Sequence, residues 1–142
     1  MKKEMRSKNP DILTLLTGAI VLNKISVIKK LLSHCDTIDI NVSDAHKNIP
    51  IFVCVKFGRV ECLKLLLQHN ANPDITDSRG YTPLIYALRE EKYLPNRYLI
   101  VKTLLEHNCN TQFISNVGTP MFIARKLRRP IYVHLLQRYN AV

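Results

Sequence analysis

The chain has 142 residues, 46% of them hydrophobic, and carries 21 Lys and Arg against 11 Asp and Glu, a formal charge of +10 with a pI near 9.7. That length suits one domain able to bury a contiguous core without disulfides, and four glycines with no tryptophan argue against a loop-rich or barrel fold. The longest apolar candidate, Ile12 to Leu22, is interrupted by Thr14, Thr17 and Gly18 and falls short of bilayer length.

The chain opens on MKKEMRSK, read as a basic tail over residues 1–8. A basic start before an apolar segment faintly mimics a signal peptide. Residues 12–22 are better explained as the first helix of a repeating unit. Ala19, Asn23, Leu31, Leu32 and His34 each stand 35 residues before Cys54, Gly58, Leu66, Leu67 and His69. Asn23 then takes the helix-ending place, where Asn is the best substitute for Gly. The loop around Thr37 to Asp44 must be two residues longer than its successor.

In the second unit Ile51, Cys54 and Val55 form the apolar stripe of a helix that stops near Gly58, since a residue without a β-carbon adopts the left-handed conformation cheaply. Val60, Leu63, Leu66 and Leu67 give the next helix its 3.6-residue period, and NANPDITD is turn chemistry. The third unit follows at 33 residues, the spacing of Asp44 from Asp77 and of Pro50 from Pro83. Thr82 caps a helix that starts at Pro83, and Leu84, Ala87 and Leu88 form its stripe.

Ala87 to Leu104 spans 17 residues where Cys54 to Leu66 spans 12, so this unit carries five extra residues within REEKYLPNRY. The first helix is expected to gain part of a turn and then break at Pro95 into a protruding loop. Tyr93, Arg97 and Tyr98 either meet a partner there or pack over the turn. In the fourth unit Thr119 and Pro120 repeat the cap, Ala124 the small position, and Leu135 and Leu136 the leucine pair.

Asp77, Gly80, Thr82, Pro83, Leu84 and Ala87 match the D-x-x-G-x-T-P-L-x-x-A opening of the ankyrin repeats, and with the leucine pairs they make the chain resemble that family. Tetratricopeptide and HEAT stacks lack a T-P-L opening at this period. The other copies depart from the pattern: Lys47 replaces the glycine, Ile49 the capping threonine, and Gly118 comes one place late. The resemblance implies an all-α fold, an ankyrin-repeat solenoid of stacked helix-turn-helix units with short hairpin-like loops. The expected organisation is a single domain with repeats at 9–43, 44–76, 77–113 and 114–142.

Enzyme signatures are absent: there is no Gly-rich phosphate loop, no H-E-x-x-H and no G-x-S-x-G, and G-Y-T-P-L is a helix-cap device. The chain is therefore expected to be no enzyme and to need no cofactor or metal. Cys35, Cys54, Cys62 and Cys109 contain no C-x-x-C pair and read as reduced thiols, two of them in helical core positions. His34, His69 and His107 recur at one place in three units, but helices ~8–10 Å apart cannot bring such positions onto one metal at ~2 Å. An intracellular protein, cytoplasmic or nuclear, is the expectation.

After Glu106 no acidic residue remains, while Arg125, Lys126, Arg128, Arg129 and Arg138 follow. A one-signed cluster of this kind attracts acidic partners, although RKLRR also suits the solvated end of a capping unit. The resemblance implies that loop tips and first helices line a concave binding side. Carried onto this sequence, that side includes His46, Lys56, Phe57, Arg79, Tyr81, Arg89, Arg125 and Lys126, and the basic cluster adds Arg128 and Arg129. Phe57 and Tyr81 serve equally as ligand contacts or as packing against the next unit. Arg79 and Arg89 are expected to reach outward. The function expected is a protein-interaction module or adaptor whose basic concave face takes an acidic or phosphorylated protein segment. The alternatives are an inhibitor that caps a kinase or transcription factor, and a nucleic-acid or phosphoinositide binder using Arg125 to Arg129.

Overall fold

The computed structural model describes residues 2–34 and 38–139, with side chains described from Ile12 onward; Cys35 and Thr37 lie outside the described residues. The chain divides into two compact units, Met1–Ala71 and Asn72–Val142. All regular elements among the described residues are helices, apart from one isolated bridge between Ser115 and Gly118.

The first unit holds α1 (Lys2–Val21), α2 (Ile25–Ser33), α3 (Pro50–Phe57) and α4 (Val60–Gln68). Helix α1 packs on α2 and α3, α3 on α4, and α2 on α4. Two helix hairpins thus lie side by side. The second unit repeats the order with α5 (Pro83–Arg89), α6 (Arg97–Glu106), α7 (Pro120–Lys126) and α8 (Pro130–Arg138), where α5 packs on α6 and α7, and α8 on α6 and α7. Of the stripes read from sequence, Ile51, Cys54, Val55, Leu63 and Leu66 are buried in the first unit and Leu84, Ala87 and Leu88 in the second, while Val60 and Leu67 are half-buried. Leu16, Ile20, Ile28, Ile100, Leu104 and Leu136 are fully buried as well.

The helix ends follow one device. Asn23, Gly58 and Arg128 adopt left-handed φ values of 55°, 66° and 53°, and the next amide returns to a small residue: Lys24 N to Ala19 O at 2.9 Å, Arg59 N to Cys54 O at 2.8 Å, Arg129 N to Ala124 O at 2.9 Å. Such six-to-one bonds satisfy carbonyls that the helix leaves open. The small side chains at Ala19, Cys54 and Ala124 are the positions that the repeat pattern singled out.

Arginine completes two helix ends, that of α1 before Asn23 and that of α5, where no left-handed residue stands. Arg59, at the start of α4, donates through Nε to Ile20 O at 3.2 Å and through NH2 to Val21 O at 2.6 Å, the last carbonyls of α1. Arg129, at the start of α8, donates through NH2 to Glu90 O at 3.1 Å, at the end of α5. Both reach back by 39 residues. A cation at a helix C-terminus also meets the negative end of the helix dipole.

Helix α1 begins at Lys2 and so takes in residues 2–8 of the basic start. Two expectations are corrected. Helix α5 gains no part of a turn: it ends at Arg89 after seven residues, because Glu90 turns extended with ψ 120°. The inserted residues therefore lie wholly outside helix. Arg97 holds them through NH2, which donates to Glu90 O and Lys92 O, each at 2.7 Å. Tyr98 packs, its ring centre 6.5 Å from that of Tyr132, while Tyr93 is 87% exposed. Finally, Gly118 is not displaced but closes a shorter turn. Ser115 N bonds Gly118 O, whereas Asp44 and Asp77 bond Asn48 O and Tyr81 O one residue further on.

The turn aspartates are structural. Asp77 Oδ1 accepts from the amides of Arg79 and Tyr81, and Asp44 Oδ1 from those of His46 and Asn48, all at 2.8–2.9 Å. Asp44 is buried and also accepts from Thr17 Oγ1 of α1 at 2.6 Å, tying the turn to the helix. Burial pushes the Asp44 carboxyl up, but the hydrogen bonds from Thr17, Asn48 and His46 outweigh it and leave it below its ordinary value. A folded value below the unfolded one gives stability that is complete above about pH 4 and lost as pH falls through the folded value. Urea midpoints measured from neutral to acid pH should show this loss, and Asp44→Asn should flatten it. Arg59→Ala should cost about 1.5–3 kcal/mol in the same urea titration at neutral pH, because two charge-assisted bonds to α1 disappear.

Candidate functional site

In the second unit the turn at Asp77 and the helix it launches assemble a cluster of cations on aromatic rings. Thr82 starts α5 by accepting from Ile85 N at 3.2 Å, which fixes Tyr86 and Arg89 one turn apart on the helix. Arg79 lies with its guanidinium carbon 4.7 Å from the ring centre of Tyr81 and 5.5 Å from that of Tyr86; Arg89 stands 5.1 Å from Tyr81. Tyr81 is only 5% exposed and so acts as a platform beneath two guanidinium groups rather than as a surface contact. Arg79 is not left unpaired as expected, since its Nε and NH2 reach Asp77 Oδ2 at 3.3 and 3.1 Å. Arg89 is exposed and meets no carboxylate within salt-bridge distance among the described residues.

These side chains line a cleft of ≈ 510 Å³ that continues over Glu90, Glu91 and Lys92 to Val117, Ile123 and Lys126. Its charged lining comprises four cations, Arg79, Arg89, Lys92 and Lys126, and two carboxylates, Glu90 and Glu91. The balance is positive but not one-signed. Burial, then the Glu90 carboxylate, pushes the Tyr86 phenol above its ordinary value against the opposing pull of Arg79. The Tyr86 hydroxyl therefore stays protonated at neutral pH and able to donate a hydrogen bond.

An apolar shelf adjoins this cleft. Ile114 and Phe122 are 77% and 52% exposed and, with Val117 and Lys126, border a shallow hollow of ≈ 670 Å³. Lys126 Nζ sits 5.8 Å from the Phe122 ring centre. Tyr86, Ile114 and Phe122 were not among the expected site residues. Phe122 carried a legible signal, being an aromatic residue placed outside the stripe of Met121 and Ala124.

The remaining expected residues fall elsewhere. Arg125, Arg128 and Arg129 line a second groove with Ala124, Pro130, Val133, His134 and Gln137, sharing no residue with the cleft. Consecutive helical residues differ by about 100°, which separates Arg125 from Lys126. Arg129 is turned inward onto Glu90 O, with its Nε buried. In the first unit His46 is exposed on the turn of Asp44, and Lys56 lies with Nζ 5.9 Å from the ring centre of its half-exposed neighbour Phe57.

Chemistry-bearing residues elsewhere are engaged in structure. His69 Nδ1 lies 2.8 Å from Leu65 O and His107 Nδ1 2.9 Å from Thr103 O, each closing its own helix end. Among the described residues no group of His, Cys, Asp and Glu has metal-holding geometry. Cys54, Cys62 and Cys109 are buried thiols, and burial, then the Asp74 carboxylate, pushes Cys109 up to about 12. No helix among the described residues is long and apolar enough to cross a membrane.

A family model described as ankyrin repeats in three copies matches residues 15–115. The chain is similar to ankyrin repeat domain-containing protein 13C of Homo sapiens, at 36% identity over 61 residues, 43% of this chain and 11% of that protein. It is 38% identical over 61 residues to protein 13C-B of Xenopus laevis, covering 43% of this chain and 12% of that protein. Ankyrin repeat protein OPG189 of Variola virus is 34% identical over 86 residues, 59% of this chain and 14% of that protein. The chain thus spans only a small part of the length of these relatives.

Gly118 controls the shelf. It has φ +111°, and a β-carbon there would stand 2.5 Å from Phe122 Cδ1. Gly118→Ala should therefore displace the Phe122 ring and cost about 1–3 kcal/mol, read from thermal unfolding together with the NMR shifts of that ring.

Proposed function

The chain belongs to the ankyrin-repeat family, whose repeats mediate protein–protein interaction, and from that premise we propose that its second unit holds an acidic or phosphorylated segment of a partner protein. Ankyrin repeats typically act as binding modules rather than as enzymes. The observation that carries the proposal is the pair of guanidinium groups on Tyr81, with Lys126 lining the same cleft. Stacking on a buried ring holds Arg79 and Arg89 in place before a ligand arrives, so less side-chain entropy is lost on binding. The exposed Arg89 guanidinium offers paired donors to carboxylate or phosphate, while Arg79, which gives Nε and NH2 to Asp77, adds positive charge beside it. A phosphorylated residue brings a charge of about −1.5 to −2 and three acceptor oxygens, matching several cations at once.

Glu90 and Glu91 narrow the choice of ligand. They disfavour a uniformly acidic chain and favour one whose acidic group is local, with neutral or basic residues beside it. The shelf at Ile114 and Phe122 suits an apolar residue of the same segment.

The test is an array of short peptides in matched sets, phosphorylated, glutamate-substituted and neutral, probed with the intact chain and read by fluorescence anisotropy. The phosphorylated or acidic member of a set should bind more tightly than its neutral counterpart. Arg89→Ala with Lys126→Ala should weaken it at least about tenfold, ~1.4 kcal/mol, and rising salt should weaken it too. Equal binding of neutral and acidic members, or no effect of the double substitution, would sink the proposal.

A further inference from the structure

The groove between α7 and α8 is a different surface from the cleft and has a different character. Its volume is ≈ 510 Å³; Ala124 is fully buried at its base, Val133 is half-buried, and Arg125, Arg128, His134 and Gln137 stand exposed around it. The repeat register explains what this surface is. Arg59 and Arg129 perform the same task 70 residues apart, which aligns Arg125 with Val55 and Gln137 with Leu67. Leu136 and Gln137, and not Leu135 and Leu136 as expected, therefore stand at the leucine-pair positions. Within the second unit the counterparts of Arg125, Val133 and Gln137 are Leu88, Val101 and Leu105, all buried. On that preceding helix pair α7 and α8 lie against α5 and α6. The groove on α7 and α8 is thus shaped as a seat for helix, but its rim is charged where the preceding pair is apolar.

We propose that this groove docks an amphipathic helix of a partner protein, with its apolar face on Pro130 and Val133 and acidic side chains meeting Arg125 and Arg128. Charge complementarity selects the acidic helix: no Asp or Glu follows Glu106, and Arg138 adds to the same sign. A further repeat of ordinary apolar composition would bury Arg125 without a counter-charge, which is costly. A second copy of the chain would bring a charge of +10 against +10. Nucleic acid would use the rim cations but has no use for an apolar base running between two helices. Arg129 contributes only a wall, because its NH2 is committed to Glu90 O.

The probe is a fluorescein-labelled helical peptide of about 18 residues, with leucines at i, i+3, i+4 and i+7 and glutamates on its polar face. The controls are a scrambled peptide of identical composition and a single-stranded RNA of similar charge. Binding to the intact chain is followed by anisotropy. The variant combines Arg125→Glu with Arg128→Asn, since Asn readily adopts the left-handed φ of 53° held by Arg128 and so removes the charge without straining the turn. Circular dichroism establishes that this variant is folded.

The expected result is that the amphipathic helix binds at least about tenfold more tightly than its scrambled control, that the Arg125 and Arg128 variant loses at least about tenfold in affinity, and that Arg79→Ala with Arg89→Ala leaves binding unchanged. Equal affinity for the scrambled peptide would reduce the groove to a non-specific cationic patch and overturn the proposal. So would RNA binding that matches the helix and is lost in the same variant, which would assign the surface to nucleic acid. Loss through Arg79 and Arg89 instead would place the helix in the cleft. Concentration-dependent self-association abolished by the Arg125 and Arg128 variant would make the occupant a second copy. The Arg89 and Lys126 experiment on the cleft is decided separately, because the two surfaces share no residue.

Discussion

Helices as short as those that open these repeats depend on how their ends are closed. Helices α5 and α7 have seven residues each and α3 has eight, lengths at which an isolated helix in water does not hold together. Most of their carbonyls near the C-terminus lack an intrahelical donor. At α3 and α7 the amide after the left-handed Gly58 or Arg128 returns to the helix. At the ends of α1 and α5 an arginine from the start of a second helix adds donors, Arg59 to Ile20 and Val21 and Arg129 to Glu90. The donor comes from the next repeat. Closing a helix end and setting the distance between adjacent repeats within each unit are therefore one interaction, and the apolar stripes are held at the spacing at which they can pack.

That use of arginine is also what sequence reasoning could not see. The T-P-L-x-x-A opening, the helix-ending Asn23 and Gly58, and the buried Cys54 and Ala87 were legible because each rests on a local rule of capping, backbone freedom or periodicity. Arg129 was grouped with Arg125, Lys126 and Arg128 because they are neighbours in the chain. Neighbours on a helix and its exit point in different directions, and only three-dimensional placement shows that Arg129 turns inward, that Lys126 joins Arg79 and Arg89, and that Arg125 lines another groove. The same limit applied to Arg79. Its partner Asp77 stands two residues away in a turn, outside the i±4 geometry that governs helical pairs.

The extra residues of the third repeat show how local rules can mislead by being applied in the wrong place. Pro95 does break helix, but α5 has already ended at Arg89, and Pro95 lies just before the start of α6 instead. What the insertion provides is Glu90, Glu91 and Lys92 along one side of the cleft, held by Arg97. This gives the cleft its acidic border and separates it from a simple basic patch.

Within the second unit the cations thus divide by task. Arg97 and Arg129 bind carbonyls, Arg79 pairs with Asp77, and Lys102 lies 3.9 Å from Glu106. The charge left to act outward is carried largely by Arg89 and Lys126 on one surface and by Arg125 and Arg128 on the other. Helix α7 supplies both, through two residues whose Cα atoms are ~3.8 Å apart. Consecutive helical residues point about 100° apart, so side chains as long as these carry their charges roughly 10 Å or more from each other, beyond the Debye length of ~8 Å at physiological ionic strength. Salt therefore largely screens one surface from the other, and α7 can face two ligands without making either depend on the second.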